Sequence, residues 1–161
     1  MSFILGKRSL GNLEGVHPDL VKIVKIAITT TTQDFTVLDG IRTVEEQREN
    51  VCRGVSKTMN SMHIPQKDGY GHAVDLVPWI NGNPRWEWDA MYPICMAMGE
   101  AARQHRIPIR WGGFWGMISP IPDRPVLTLG AIEKSVHDYV DERRRAGKSA
   151  FIDGPHYEIK V

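Results

Sequence analysis

The chain has 161 residues, of which 42% are hydrophobic and 24% charged, and its net charge at pH 7 is +1. A chain of this length is expected to form a single domain, over residues 1–161, that buries roughly two thirds of its unfolded surface. The near-neutral charge gives no electrostatic support to nucleic-acid binding. The short basic run at residues 143–145 follows several acidic residues, so we expect it on a solvated helix face.

The two cysteines, Cys52 and Cys95, fall in helix-like segments and form neither a disulfide framework nor a cysteine-based zinc motif. We expect both to be buried free thiols in a reducing compartment. Residues 1–7 are too short and too soon interrupted for a signal peptide, and no segment approaches a membrane span. The sequence therefore predicts a protein that is made in a cytoplasm and at first stays there.

The first half of the chain begins with a predicted helix. Pro18 suits the first turn of this helix, which has a regular apolar face. Residues 34–38 follow as a strand that ends at an Asp-Gly turn. Thr43 and Glu46 form a capping box for a second helix that extends to about the next glycine. The polar, turn-rich residues 56–71 predict a loop.

The second half alternates short strands with long helices. Strands are predicted at residues 73–80 and 109–111 and from about His156 to the end, helices at 86–106 and 133–146, and an irregular segment at 119–125. Long helices combined with short strands indicate the α+β class, in which a small antiparallel sheet packs against helices.

Two stretches of the chain each carry a histidine and a carboxylate beside a predicted strand, at residues 63–75 and 153–158. A catalytic zinc takes three protein ligands from His, Asp or Glu and leaves a fourth position for water. If the two strands pair, the two stretches would together form a compact metal site.

Strand geometry bears on which histidine accompanies Asp75. Side chains alternate between the two faces of a strand, so His72 and Asp75, three residues apart, would point in opposite directions. His63 lies in the preceding loop and is free of this constraint, so it is favoured as the ligand. A bulge, or a strand that begins after His72, would restore His72, and this alternative stays open.

The second stretch can be read by the same rule. His156 and Glu158 share one face of their strand, so Glu158 can support the histidine or compete with it as a ligand. Asp153 precedes the strand and is placed to act as a general base.

Several motifs of the sequence resemble those of the M15 zinc metallopeptidases. Ser61-x-His63 followed by GHAVDL at residues 71–76 resembles their first zinc motif, and DGPHYE at 153–158 resembles their second. DFTV at 34–37, GIRT at 40–43 and RWGGFW at 110–115 resemble bacteriophage L-alanyl-D-glutamate peptidases in particular. These ordered motifs extend over nearly the whole chain and imply the M15, or D-Ala-D-Ala peptidase-like, fold.

The resemblance implies specific roles for individual residues. The implied zinc ligands are His63, Asp75 and His156, with Asp153 as the base and Arg42 as a residue that binds the substrate or polarises its carbonyl. A guanidinium group suits both a carboxylate and a developing oxyanion. Ser61 and Gln47 are weaker candidates for substrate contact or support of the site. Trp115 is expected to line the cleft or to belong to the core.

The sequence departs from the family pattern in three places. Residues 64–71 lengthen the loop between His63 and the strand, and are expected to reshape the rim of the cleft. Phe114 occupies a position where relatives often have an aspartate. The segment 118–151 is longer than in the smallest relatives and is expected to form a lid or a flank of the substrate groove.

The implied function is that of a zinc-dependent endolysin, which cleaves the L-alanyl-D-glutamate bond of peptidoglycan stem peptides. Two alternatives remain: a D-Ala-D-Ala carboxypeptidase or dipeptidase with the same metal chemistry, and a non-catalytic zinc-stabilised module that binds the cell wall. The family further implies a monomer without stable membrane association. It would be present in the host cytoplasm before lysis, require a holin for access to the wall, and act in the periplasm.

Overall fold

The computed structural model describes residues 2–119 and 127–161. Its helices are α1 (Lys7–Asn12), α2 (Pro18–Thr30), α3 (Val44–Cys52), α4 (Trp88–His105) and α5 (Leu129–Arg145). Its strands are β1 (Phe35–Asp39), β2 (Ala73–Ile80), β3 (Asn83–Pro84), β4 (Ile109–Trp111), β5 (Gly116–Ser119) and β6 (His156–Ile159). This combination of helices and short strands confirms the α+β class.

The strands form one sheet in the order β1-β2-β6-β4-β5, and β3 pairs with β2 as a short extension. Every ladder described is antiparallel. The last strand of the chain, β6, therefore lies in the middle of the sheet, between β2 and β4. This insertion brings the C-terminal residues of the chain next to residues from its centre.

Alternation along the central strands separates a core face from an open face. Val74 and Leu76 of β2, together with Trp111, Tyr157 and Ile159 of β4 and β6, are buried in the hydrophobic core with α2 and α4. Burying each such side chain contributes about 1.5–3 kcal/mol of transfer free energy. Because strand side chains alternate, the residues between these positions point to the opposite face, which is where the polar side chains gather.

The helix starts follow the sequence signals. Pro18 is the first residue of α2, and the ring of His17 caps that helix by accepting a hydrogen bond from the Asp19 backbone N–H. Thr43 and Glu46 form the expected capping box of α3. Among the described helices, none has the length and apolar character that crossing a membrane requires.

Several boundaries differ from the predictions. Helix α1 and the short strands β3 and β5 were not predicted, and Ser119 closes β5 rather than opening an irregular segment. The rest of that segment, up to residue 125, lies outside the described residues. Helix α5 begins at residue 129 instead of 133 because the Thr128 hydroxyl accepts a hydrogen bond from the Ala131 N–H and caps the helix there.

The expectation of two buried thiols is half wrong. Cys95 is buried in α4, but Cys52 is exposed. Cys52 is the last residue of α3, a short helix that buries the side chain of Gln47 and leaves its C-terminal end in solvent. The structure therefore places one of the two thiols within reach of solvent.

Candidate active site

The open face of the sheet carries a cleft of about 520 Å³. Its floor is formed by polar residues of β2, β4 and β6, and its walls by the segment that follows α3, the turn after β4 and the segment that leads into β6. The predicted site residues that line it are Arg42, Ser61, His63, Asp75, Trp115, Asp153 and His156. The cleft thus collects side chains from positions that are far apart in the sequence.

Three of these side chains, His63, Asp75 and His156, converge on one point. Asp75 and His156 face each other as cross-strand partners of β2 and β6, and His63 reaches them from the loop before β2. Nε2 of His63 lies 3.2 Å, and Nδ1 of His156 3.4 Å, from the same carboxylate oxygen, Oδ1 of Asp75. One nitrogen or oxygen atom from each residue lies within 4.8 Å of the others, a spacing at which all three can hold one metal ion.

The hydrogen bonds of the two remaining ring nitrogens determine which nitrogen of each histidine carries the proton. Nδ1 of His63 lies 2.7 Å from the Gly40 carbonyl oxygen, and Nε2 of His156 lies 3.0 Å from Oε1 of Glu158. Each outer nitrogen donates its proton to an oxygen, so in the neutral ring the inner nitrogen presents a lone pair to the centre. Oδ1 of Asp75 is buried and has no hydrogen bond in the described structure. Two lone pairs and an unsatisfied buried carboxylate oxygen fit a divalent metal.

The charges of this group shift its pKa values strongly. Burial alone would raise the pKa of Asp75, but the adjacent His63 and His156 outweigh it and hold that pKa well below its usual value. Burial disfavours the charged form of His156, yet Asp75 and Glu158 raise its pKa to about 9. Burial likewise opposes ionisation of Glu158, while His156 and Lys160 lower its pKa to about 2. In the absence of a metal, attraction between the positively charged His156 and the carboxylates of Asp75 and Glu158 stabilises this group.

His72 is not part of this group. Its Nε2 lies 2.7 Å from Oδ2 of Asp68, and its ring makes an edge contact with His17 at the start of α2. Strand β2 begins at Ala73, after this histidine, so alternation along the strand does not by itself exclude His72; its contacts with Asp68 and His17 do. The structure therefore brings His63, and not His72, to Asp75 and His156.

The lengthened loop at residues 64–71 does not reshape the rim of the cleft, contrary to the expectation from the sequence. It folds against the start of α2, where Gly71 exchanges backbone hydrogen bonds of 2.9 Å with Gly15 and His17. None of its residues belongs to the cleft lining, which in this region ends at His63. The extra residues therefore lie against the start of α2 and outside the cleft.

The long segment before β6 also does not form a lid in its described part. Helix α5 packs against α4 and contributes no residue to the cleft. Of the residues of this segment that the structure describes, only Phe151, beyond the end of the helix, reaches the cleft wall. Phe114, which replaces the aspartate of relatives, makes an edge contact with Trp111 in the core.

Arg42 enters the cleft from the segment between β1 and α3 and is held at three of its N–H groups. Its Nε donates to Oδ2 of Asp39 at 3.0 Å, its Nη2 donates to the same oxygen, and its Nη1 donates to Oε1 of Gln47 at 2.6 Å. Nη2 also lies 3.8 Å from Oδ2 of Asp75. The guanidinium is therefore fixed beside the candidate metal group, with its remaining N–H groups unused by these partners.

Gln47 supports the site but cannot contact a substrate. Its side chain is fully buried and absent from the cleft lining. While Oε1 accepts from Arg42, Nε2 donates to the Ser56 hydroxyl at 2.8 Å and to the Thr58 carbonyl at 2.6 Å. The expectation of substrate contact by Gln47 is wrong, because its amide is fully used in joining Arg42 to the segment after α3.

Asp153 lines the cleft three residues before His156. Burial and the negative charge of Asp75 raise its pKa to about 6. Its backbone is fixed by a 2.9 Å hydrogen bond from its N–H to the Gly112 carbonyl. A Cβ atom on Gly112 would come within 2.3 Å of the Asp153 carbonyl oxygen, so only glycine permits this close approach. Such a carboxylate, with a pKa just below neutrality, suits a proton acceptor at neutral pH.

Two further predicted residues border the cleft. The Ser61 hydroxyl accepts a 3.2 Å hydrogen bond from the His63 backbone N–H and so shapes the turn that presents this histidine. The Trp115 ring lies 5.4 Å from the His156 ring and stacks on Phe151, with its indole N–H bonded to the Phe151 carbonyl. Trp115 is thus part of the cleft wall and not of the core.

Sequence reasoning missed Asp39 and Arg110. Asp39 sits at an irregularity in the β1–β2 pairing, opposite Asp75, a feature that no local motif reveals. Arg110 lines the cleft and lies between the buried Ile109 and Trp111. This alternation is visible in the sequence and could have placed Arg110 on the open face.

Comparisons with known proteins agree with this geometry. A family model described as phage L-alanyl-D-glutamate peptidase matches residues 1–125. The L-alanyl-D-glutamate peptidase of Escherichia phage T5 is 34% identical over 163 residues, which cover 99% of each chain. The crystal structure of the Serratia marcescens L-Ala D-Glu endopeptidase ChiX matches with a TM-score of 0.67 and 32% identity, over 96% of this chain and 87% of that one. These matches confirm the M15-like fold that the motifs indicated, and the chain belongs to the phage L-alanyl-D-glutamate peptidase family.

Proposed function

We propose that this protein is a zinc-dependent endopeptidase that hydrolyses the L-alanyl-D-glutamate bond of peptidoglycan stem peptides and acts as a phage endolysin. The observation that carries the proposal is the convergence of His63 and His156 on the unsatisfied Oδ1 of Asp75, at 3.2 and 3.4 Å. The names of the phage T5 and Serratia relatives support the bond that is cleaved.

His63, Asp75 and His156 would hold the zinc ion through Nε2, a carboxylate oxygen and Nδ1. When bound, zinc supplies a Lewis acid that polarises a carbonyl and lowers the pKa of water. The contacts of His63 with Gly40 and of His156 with Glu158 keep both rings oriented for ligation. A three-residue ligand set leaves room for substrate, as catalytic rather than structural zinc sites do.

Asp153 is the residue that moves protons in this proposal. Its carboxylate accepts a proton from the attacking water and delivers it to the leaving amine of the glutamyl residue. Burial and the negative charge of Asp75 raise the pKa of Asp153 above that of an ordinary aspartate, which makes its carboxylate a stronger base. The glycine contact at residue 112 fixes the backbone that carries it.

Arg42 stabilises negative charge as the scissile carbonyl becomes tetrahedral. Asp39 and Gln47 immobilise its guanidinium, so the free N–H groups are already oriented before the charge develops. Preorganised donors of this kind need no reorganisation during the reaction and contribute about 3–4 kcal/mol where they have been removed singly.

An endolysin would be made in the host cytoplasm and act on the wall in the periplasm, with a holin providing access, and a monomer is sufficient for the site described. The family relationship supports the endolysin role from which these expectations follow.

Product identification tests the proposal directly. Defined muropeptides are incubated with the purified protein, with and without a chelator, and the products are identified by mass spectrometry. We expect products split between L-alanine and D-glutamate, loss of cleavage with the chelator and recovery on addition of zinc. Release of D-alanine instead would establish the carboxypeptidase alternative.

An Asp153→Ala variant provides the second arm. It should retain bound zinc and a normal circular-dichroism spectrum but lose cleavage. Full activity in this variant would remove Asp153 from the mechanism, and binding to cell walls without cleavage by the unmodified protein would favour a non-catalytic module.

A further inference from the structure

One wall of the cleft is formed by two stacked aromatic rings, each in contact with a cationic side chain. The Lys57 ammonium lies 5.1 Å from the centre of the Phe151 ring, and Phe151 stacks on Trp115 with 6.1 Å between ring centres. The Arg110 guanidinium lies 5.1 Å from the Trp115 ring, which in turn contacts His156. All of these side chains line the cleft. The stack therefore runs from the candidate metal group outward to Lys57.

The cationic residues of the cleft lining differ in their partners. Arg42 is bonded to Asp39, and Nη1 of Arg110 lies 3.6 Å from Oε2 of Glu158. Lys57 has no carboxylate oxygen within 4.0 Å of its ammonium in the described parts of the chain. Lys57 is thus a cation of the cleft whose charge is available to a ligand.

Lys57 is also held in place, although its side chain is exposed. The buried amide of Gln47 donates to the Ser56 hydroxyl and to the Thr58 carbonyl, on either side of Lys57. The same amide accepts from Arg42. Gln47 therefore fixes the segment that carries Lys57 relative to Arg42, and the Phe151 ring holds the lysine stem above it by a cation–π contact.

The chemistry of the substrate supplies a matching anion. A glutamyl residue has two carboxyl groups, and a chain that continues through one of them leaves the other free. In an L-alanyl-D-glutamate unit the scissile bond is made by the glutamyl amine, so the free carboxylate lies within a few bonds of it. A lysine ammonium is a suitable partner for such a carboxylate.

We infer that Lys57 forms the carboxylate subsite of this cleft and binds the free carboxylate of the glutamyl residue whose amine is released. This inference rests on the proposed function and adds to it the group that selects an acidic residue next to the scissile bond. Gln47 then acts as the spacer that holds this subsite at a fixed position relative to Arg42.

The test compares two synthetic peptides that differ in one group: the free glutamyl carboxylate in one is a carboxamide in the other. The unmodified enzyme should cleave the acid with a kcat/KM about tenfold higher, as expected for one charge-assisted hydrogen bond. Lys57→Met keeps an unbranched side chain over Phe151 but removes the charge, so the two peptides should become nearly equal substrates. Lys57→Arg should restore most of the preference.

The ratio of the two kcat/KM values is independent of the fraction of enzyme that is folded, so a partly unfolded variant still gives a valid result. Lys67→Met is the matched control, since Lys67 is exposed and lies outside the cleft lining, and it should keep the unmodified ratio. A full preference for the acid in Lys57→Met would overturn the inference. So would equal cleavage of both peptides by the unmodified enzyme, although the proposed function would then survive. Cleavage of neither peptide would overturn both.

Discussion

The molecule contains two groups of the same composition, each made of two histidines and an aspartate. The inner group, His63, Asp75 and His156, lies in the cleft, with both histidines within 3.4 Å of one buried carboxylate oxygen. The outer group, His17, Asp68 and His72, lies between the 64–71 loop and α2. There Oδ2 of Asp68 is 2.7 Å from His72 and 3.9 Å from His17.

The two groups differ in the hydrogen-bond partner of the ring nitrogen that points away from the aspartate. In the inner group the outer nitrogens donate to oxygens, so lone pairs face the centre. In the outer group Nδ1 of His17 accepts the Asp19 N–H, so the proton of the neutral ring is on Nε2 and points toward Asp68. A protonated nitrogen donates a hydrogen bond and cannot bind a metal. The comparison shows that the hydrogen-bond partners of the histidines, as the second partner of His17 illustrates, separate a candidate metal site from a hydrogen-bonded cluster of the same residue types.

The largest expected effect distinguishes the two groups by metal content. His63→Ala and His156→Ala should each lose bound zinc and reduce cleavage about a thousandfold or more, because Lewis-acid stabilisation amounts to several kcal/mol. His72→Ala and His17→Ala should keep one zinc per chain and near-normal activity. Metal analysis of the purified variants, together with turbidity loss of permeabilised bacteria, measures both. Metal loss in His72→Ala with retention in His63→Ala would reverse the assignment.

The inner group was predictable mainly because its residues lie in two motifs that resemble those of the M15 metallopeptidases. Alternation along β2 favoured His63 over His72, but β2 begins at Ala73, and it is the contacts of His72 with Asp68 and His17 that keep it away from Asp75. The same alternation along β6 placed Glu158 on the side of His156. The outer group was not predictable, since it depends on where the lengthened loop folds, and residues 64–71 carry no pattern that directs them to α2.

The second effect concerns stability without metal and tests the charges of the inner group. The pKa of His156 is raised from 6.5 to about 9, so its contribution is complete below pH 6.5 and is lost as the pH rises through 9. The pKa of Glu158 is lowered from 4.5 to about 2, so its contribution is complete above pH 4.5 and is lost as the pH falls toward 2. The combined contribution of these two groups should therefore be largest between about pH 4.5 and 6.5. Asp153 acts in the opposite sense, because its pKa is raised from 3.8 to about 6 and its contribution is lost as the pH rises through 6.

Urea unfolding of chelator-treated protein at pH 6 and at pH 9.5 checks this window. The loss attributable to His156 should be on the order of 3 kcal/mol, because its pKa is 6.5 in the unfolded chain and about 9 in the folded one. His156→Gln, which cannot titrate, is the matched control and should lack this component. An unfolding free energy that is equal at the two pH values in the unmodified metal-free protein would contradict the proposed charge network.

The boundaries of an element were predictable where its own residues determine them, and less so where pairing with a distant strand does. The capping box of α3 and the turn after β2 gave correct boundaries because both are local. Strand β5 was missed because its four residues, which include Gly116, have little strand propensity of their own. They form a strand because β4 is there to pair with them. The same reason explains why Asp39, set by a pairing irregularity, was not recognised as a partner of Arg42.

A third, smaller effect concerns the position of Arg42 and should leave the metal content of the inner group unchanged. Asp39→Asn should hold Arg42 less firmly and lower kcat about tenfold, because the ion pair is replaced by hydrogen bonds from the charged guanidinium to a neutral amide oxygen. Bound zinc should be unchanged, since the hydrogen bonds described for the Asp39 side chain go to Gly40 and Arg42 and to none of the three ligands. Steady-state kinetics on a defined muropeptide and metal analysis give the two readouts. An unaltered kcat would show that Arg42 is positioned without Asp39.

The smallest effect is expected at the carboxylate of the outer group. Asp68→Asn removes the charge facing His72 and His17 but retains an amide oxygen that can accept from His72. Asp68 is 37% exposed, so water screens its charge, and we expect the thermal midpoint to fall by a few degrees at most. Zinc content and kcat/KM should equal those of the unmodified protein, because the loop that Asp68 anchors contributes nothing to the cleft. A tenfold loss of activity in Asp68→Asn would mean that the position of His63 depends on how the loop after it is clamped, and that the two groups act as one.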